Sequence, residues 1–589
     1  MNETGSDGMT GLEVINFSFH NELPEQFASA YLQIARDIRG PFAELIDNLG
    51  IKHHGSLIFW LASADLRNQS VCRLFHDLTV LRLLNSDAQL FPKGSIIQVD
   101  SEPLSQLLRA CAEKQGASFT IVNKLGRVGR FRYAVRKQAF RLKTFAVFFV
   151  EVITVCLNTS SRRDTAPTGE RIKTIIDTYA IPGFETDDRY FPGLYENLNA
   201  ADKTRMRFVP KFADMTRKQI KHTAKTLAQH PERFLLREAF ITARDLVSIA
   251  RLGLEISKLR VRDAVFFSED VSQLVEAELR SADRLHGALR GALSYFFVKR
   301  LAESKIRPKR AISWFEGQAI DKGWILGFGR FMPEVVTLGY QGFVAGPMSS
   351  RPILSEVGAH VAPKKLGVMG VGFVENVCEF TGQQLITEVA PSFRFRGLKP
   401  ADSRLEPPSI TEEAKVLVAL PGERRAALRF LAIVKEAFKD EEFRELLVKP
   451  HPRISFEDLR LVSTSKLIWK DVSAALFADL LSDAALVLCP GWTSVGFEAA
   501  LAGRSVIIVS SDLSERDLMP AAVPKQLWRL VATPKQLFEE YRRFLESYKA
   551  GVNYQDMASA AHKSCITPVT SDSVRRFVFG LSDADQSHS

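Results

Sequence analysis

Cysteine is scarce in this chain. Its 589 residues include six (Cys72, Cys111, Cys156, Cys378, Cys489 and Cys565), with no CxxC pair and no Cys/His cluster among them. That pattern argues against a zinc site or a disulfide scaffold and favours a reducing compartment. Long apolar runs are missing as well. The longest, Phe145–Leu157, is interrupted by Glu151 and Thr154 and falls short of the roughly 20 residues that cross a bilayer. The first residues, Met1–Gly11, are polar and acidic rather than signal-like. No DxD-type loop suggests a bound metal, and no cofactor motif stands out. These absences point to a cytoplasmic protein without a resident metal or cofactor.

Positive charge, by contrast, is concentrated in one place. The net charge is +10, yet ten Lys/Arg and one acid, Glu151, lie between Lys124 and Arg163. A local field of this kind attracts anionic membranes or polyanions. No nucleic-acid partner is expected, because the basic stretch adjoins an apolar helical pattern rather than a stacking platform and no binding motif accompanies it. A hydrophobic content of 46% with 25% charged residues is that of a globular protein, so disordered tails are expected only at 1–11 and 581–589.

Along the chain, short apolar runs alternate with helical periodicity. "SLIFWLA" (56–62), "SIIQVD" (95–100) and "SFTIV" (118–122) read as strands, separated by segments with apolar residues at 3–4 spacing. This βαβ rhythm predicts a Rossmann-like unit over 12–400. From about 124 to 300 the pattern turns helical, which predicts a helical, basic insertion. Two readings of that insertion stand: helices packed on the sheet, or an interfacial membrane contact over about 124–157. Strand patterns return at "RAISWFEG" (310–317) and "EVVTLGYQGF" (334–343). A Pro-rich stretch at 401–413 predicts a linker, and a second alternating unit follows over 414–580. The fold class expected is α/β, two Rossmann-like domains facing a cleft, where ligands bind at the carboxyl ends of strands.

Four segments place chemistry at such strand ends. In "LLVKPHPRIS", His451 stands between Pro450 and Pro452, and proline restricts both itself and its predecessor. The imidazole is either presented to a ligand or simply ends a strand. In "CPGWTSVGFEAALAG", a Pro-Gly turn through Gly491 leads to Thr493 and Ser494 at a helix start, a pattern for anion binding or for ordinary capping. Glu498, one turn on, either reaches a ribose hydroxyl or is solvated. In "SWFEGQ", Glu316 ends a strand before glycine, where a carboxylate can serve as base or nucleophile or can complement a helix dipole. Gln318 follows it. Tyr340 and Gln341 of "GYQG" end the next strand and are candidate sugar or acceptor contacts.

Taken together, "VKPHP" and "PGWTSVGFEAALAGRSVI" resemble the C-terminal half of bacterial surface-polysaccharide glycosyltransferases of GT-B fold. "SWFEGQAIDKGWILGFGRFMPEVVTLGYQG" is similar to a "W-E-x-Q…G-Y-Q" segment in a related surface carbohydrate family. The resemblance covers roughly 305–515. It implies a metal-independent transferase related to Kdo and sialic-acid transferases that use CMP-sugars. His451-Pro452 would be the HP motif and Thr493-Ser494 the hydroxyl pair, both on the donor phosphate; Gly491 and Glu498 join them as nucleotide-binding candidates from the residue pattern. Glu316 would be the acid acting on acceptor or sugar, with Phe315 standing where a second acid is common. The implied partners are a nucleotide-sugar donor and a glycan or lipid-linked acceptor of capsule or lipopolysaccharide synthesis, met at the inner face of the cytoplasmic membrane. Donors based on CDP-glycerol, UDP or GDP, and a non-catalytic scaffold, are the alternatives.

Overall fold

The computed structural model describes residues 13–19, 25–67, 69, 72–86, 90–159, 172–184, 188–346, 349, 351–400, 415–439, 443–461, 463, 467–491, 493–510 and 519–580. The expected tails (1–11 and 581–589) and linker (401–413) lie outside them.

Three parallel sheets organise the chain. The first is small: β1 (Val14–Asn16), β2 (Ile96–Val99) and β3 (Thr120–Asn123), paired in chain order. The second has six strands, β4 (Thr174–Ala180), β5 (Met206–Phe212), β8 (Arg310–Trp314), β9 (Val336–Gln341), β10 (Lys365–Val368) and β11 (Ile386–Val389). A two-stranded ribbon, β6 (Val265–Phe266) with β7 (Glu269–Asp270), stands apart from it. The third sheet holds β12 (Val416–Ala419), β13 (Phe443–Lys449), β14 (Leu467–Asp471), β15 (Leu486–Pro490), β16 (Ser505–Val509) and β17 (Trp528–Val531). Central strands such as β12 and β15 are buried throughout, as expected for parallel strands covered on both faces.

Strand order fixes where ligands can bind. The second sheet runs β11-β10-β9-β8-β4-β5 and the third β14-β13-β12-β15-β16-β17. The third order is the 3-2-1-4-5-6 winding of a Rossmann unit. Both sheets reverse direction once, between β4 and β8 and between β12 and β15. At such a reversal the flanking loops splay apart and leave a crevice beyond the carboxyl ends of the strands. The expected α/β class with two doubly wound parallel units is therefore what the chain builds.

Three expectations need correction. Residues 56–62 form no strand; Leu57–Ser63 is a helix whose start is capped by Ser56 Oγ, which accepts from Phe59 N. Phe59, Trp60, Leu61 and Ala62 are all buried, and a helix buried on every side reads as an unbroken apolar run. The segment 12–400 carries two separate parallel sheets and the β6–β7 ribbon rather than one sheet. And 124–300 is not all helical, since β4 and β5 lie within it, with Lys211 and Asp177 concealing their strand character. The basic helix Arg127–Thr159 is present as expected.

Two packing features hold the crevices in place. Helices Ala282–Glu303 and Ala319–Phe331 cross at Gly291 and Gly323; a Cβ on Gly323 would come within 1.8 Å of Gly291 O. The second feature is a return of the chain. After the third sheet, helix Gln555–Cys565 packs on the turn at Val371–Phe373 and on helix Val495–Leu501. Thr567 N then donates to Met369 O at 2.9 Å, and Phe577 of helix Ser571–Phe579 joins the aromatic cluster of Phe191, Tyr340 and Phe393 under the second sheet.

Candidate active site

The β4–β8 reversal is built around a buried aspartate. Asp321, in the first turn of helix Ala319–Phe331, accepts the backbone N–H of both Glu316 and Gln318 on Oδ2, each at 3.0 Å. Gly317 between them has φ +73, a conformation that glycine adopts without strain. Glu316 is thereby held with its carboxylate at the strand end. Trp314 Nε1 donates to its Oε1 at 2.7 Å and Gln318 Nε2 to its Oε2 at 2.6 Å. Each oxygen retains a lone pair for a further partner.

Behind this loop lies a line of buried charge. Lys211 Nζ is 2.6 Å from Asp177 and 3.7 Å from Asp321, all three fully buried. Burial pushes the Asp321 carboxyl up to about 7; Lys211 opposes the shift, while Asp177 and Glu316 add to it. One lysine thus serves two aspartates. Asp188, half-buried, accepts from Tyr190 N, Phe191 N and Thr178 Oγ1. That turn sets Tyr190 edge-on to Trp314, with ring centroids 4.8 Å apart.

Across the cleft, His451 follows β13. Its Nδ1 accepts from Arg453 N at 3.2 Å, so a neutral ring carries its proton on Nε2 and can donate it outward. The ring lies over Gly422 beyond β12, where a Cβ would meet it at 3.1 Å. Burial, then the charges of Arg453 and Arg189, hold the imidazole below the usual histidine range. Pro452 is exposed in the turn and Gly491 is buried after β15. Thr493 Oγ1 accepts from Val495 N at 3.3 Å, and Ser494 Oγ donates to Glu498 Oε1 at 3.0 Å. Burial raises the Glu498 carboxyl above its ordinary value, against the Ser494 hydrogen bond and the charge of Arg394. Helix Val495–Leu501 has only seven residues, so the hydroxyls and the turn, more than a long helix dipole, define this edge.

Three pairings bring the two carboxyl edges together. Arg453 Nη2, beyond β13, meets Asp214 Oδ2, beyond β5, at 3.2 Å; both are exposed, and such pairs contribute about 0–1 kcal/mol. Arg189, beyond β4, acts on His451. Arg394, beyond β11, acts on Glu498 while its guanidinium sits 5.8 Å from the Trp314 ring centroid. Arg189, Arg394 and Arg453 were not signalled by any motif; they are surface arginines whose only mark is convergence in space.

Not every expected residue reaches the cleft. Tyr340 is fully buried, donates its hydroxyl to Pro391 O at 2.6 Å and accepts from Phe393 N. It is a core residue rather than a ligand contact, because a strand buried on both faces hides even its last tyrosine. Gln341 is buried at the end of β9, and its Oε1 finds no donor among the described residues. Glu498 faces Ser494 rather than solvent. Among the described residues no three His, Cys, Asp or Glu side chains converge as metal ligands. A hollow of about 90 Å³ bordered by Arg504, Trp528, Tyr548 and Gln555 lies at the amino ends of β15 to β17, the edge opposite His451.

No family model and no curated protein matches the sequence. Among solved structures, the calicheamicin glycosyltransferase CalG4 aligns with a TM-score of 0.39 and 12% identity over 67% of this chain and 96% of its own. MurG of Acinetobacter baumannii aligns at 0.37 and 10% over 69% and 100%. The glycosyltransferase SnogD of Streptomyces nogalater aligns at 0.38 and 12% over 69% and 98%. Overlap of this degree assigns no function.

Proposed function

We propose that this chain is a glycosyltransferase that moves a sugar from a nucleotide-activated donor, held at the carboxyl edge of the third sheet, to an acceptor at that of the second. One observation carries the reading: Arg189 and Arg394, from the sheet whose reversal holds Glu316, reach across to His451 and Glu498 at the carboxyl edge of the third sheet. In the transfer the anomeric carbon loses its bond to the donor phosphate and gains one to the acceptor oxygen. Glu316 either takes the acceptor proton, or attacks the carbon first and is then displaced by the acceptor oxygen, whose proton passes to the departed donor phosphate. The departing phosphate carries the charge, which the His451 Nε2–H and the neighbouring guanidinium groups offset.

The finer reading is a CMP-linked ulosonic acid, transferred to a glycan or lipid-linked intermediate of surface polysaccharide at the cytoplasmic face of the membrane. The HP and Thr-Ser motifs support it. Thermal shifts with CMP, CDP, UDP and GDP, on wild type and His451→Ala, test both levels, since a ligand of the folded state raises stability by mass action. Stabilisation by CMP alone, lost in the variant, is the expected result. A shift with CDP instead redirects the donor to CDP-glycerol, and one with UDP or GDP to a hexosyl nucleotide. No shift at millimolar nucleotide refutes the donor site and leaves a scaffold.

A further inference from the structure

From Thr144 onward the helix Arg127–Thr159 has two faces of opposite fate, while from Phe131 to Lys143 every residue but Lys137 and Arg141 is exposed. Thr144, Phe148, Val152, Val155 and Thr159 recur at helical spacing and are buried, packed against helices Arg217–Ala228 and Ala282–Glu303. The other face is left open. Phe131, Val135, Leu142, Val150, Ile153 and Leu157 recur along it at multiples of the helical turn, between 41% and 74% exposed. Exposed alanines at 139 and 146 fill its gaps. From Phe131 to Leu157 this apolar stripe runs about 39 Å at the α-helical rise.

Charge along the stripe is of one sign. Arg132, Arg136 and Lys143 each follow a stripe residue by one position and are exposed, which sets them along one flank. The helix's one acid, Glu151, turns inward to Arg290 at 3.0 Å. The neighbouring helix Arg217–Ala228 contains no acid and exposes Arg217, Lys218, Lys221 and Lys225. Among the described residues no helix is long and apolar enough to cross a membrane. A second copy docked on the stripe would bring the two cationic flanks together, an arrangement that like charges oppose. A polyanion would pair with the flank but leave the apolar face uncovered.

We propose that helix Arg127–Thr159 seats the protein on an anionic lipid bilayer. The stripe enters the boundary between head groups and acyl chains, and the flanking Arg and Lys side chains meet the anionic head groups. This contact is independent of what the cleft binds or transfers.

The test is flotation of the full chain with phosphatidylcholine vesicles, with and without phosphatidylglycerol, at low and high salt. Wild type is expected to float only with the anionic vesicles at low salt. The double variant Leu142→Ser/Leu157→Ser and the triple variant Arg132→Gln/Arg136→Gln/Lys143→Gln are each expected to bind about tenfold more weakly or worse. All five positions are exposed or flank the stripe, so circular dichroism and melting temperature should stay at wild-type values. Wild type remaining unbound overturns the proposal. So does a stripe variant that floats as wild type does, which would reduce the contact to charge alone. A wild-type dimer in light scattering that Leu142→Ser/Leu157→Ser converts to monomers would give the stripe to a second copy and overturn it too.

Discussion

Replacing Asp321 separates what its carboxylate does for the Glu316 loop from what its charge does for Lys211. Asp321→Ala removes the acceptor for two backbone N–H groups, those of Glu316 and Gln318. An amide left without a partner costs about 1–3 kcal/mol, and breaking one side of a buried ion pair about 3–5 kcal/mol. Lys211 keeps Asp177 at 2.6 Å, so the second cost is only partly incurred, about 1 kcal/mol, and with two amides the sum is about 3–7 kcal/mol. Asp321→Asn keeps an oxygen facing both amides and should cost about 1 kcal/mol. Hydrogen exchange at the 316 and 318 amides reads this directly. Protection should fall on the order of 100-fold in the alanine variant and less than tenfold in the asparagine variant. The pH dependence adds a signed check. With its carboxyl pushed up to about 7 from 3.8, Asp321 contributes stability that is complete below its unfolded value and is lost as pH rises through about 7. Asp321→Asn should remove that decline between pH 4 and 7. Equal losses in both variants, or unchanged exchange in Asp321→Ala, would refute the idea that this side chain holds the loop.

Further outcomes follow from the same geometry. Glu316→Gln should abolish sugar transfer while leaving nucleotide-induced stabilisation intact; loss of both would place Glu316 in the donor site instead. A phosphate ligand favours the imidazolium form of His451, whose free ring is held below the ordinary histidine range, so nucleotide affinity measured by calorimetry should rise as pH falls from 7.5 to about 5.5, by up to about tenfold, and the slope should vanish in His451→Gln. Arg394→Ala should weaken nucleotide binding and flatten its salt dependence, without moving the melting temperature. Gly323→Ala should destabilise by on the order of 3 kcal/mol or fail to fold, because the new Cβ meets backbone at 1.8 Å and helices Ala282–Glu303 and Ala319–Phe331 must separate.

The third sheet could be read from the sequence because its strands obey simple rules: "KVLVA", "ALVLC" and "SVIIV" are apolar, short and bounded by turns. The second sheet hides two strands behind its own chemistry. In β5, Arg207, Pro210 and Lys211 interrupt the apolar pattern, yet the whole strand is buried. Lys211 is there to meet Asp177 of β4, and Pro210 is tolerated because β5 is the sheet's edge. Local rules fail where buried charge supports the Glu316 loop, a conflict expected near functional sites. His451, Glu316 and the Thr493-Ser494 pair carried enough local signal to be picked out. Arg189 and Arg394 carried none, since an exposed arginine in a loop acquires meaning only from the neighbours that distant strands bring to it.

The return of the chain through helix Gln555–Cys565 has a mechanical consequence. A body tethered at one point can swing about any axis and drift in separation. Among the described residues the third-sheet unit meets the strand ends of the second sheet where Thr567 N donates to Met369 O and where the Phe497 ring packs on Phe373 and Phe395. These contacts lie on the side of Gly370, where a Cβ would meet Ser564 O at 2.4 Å, so separating the two units there costs packed backbone, whereas the exposed Arg453–Asp214 pair at the mouth of the cleft costs little to part.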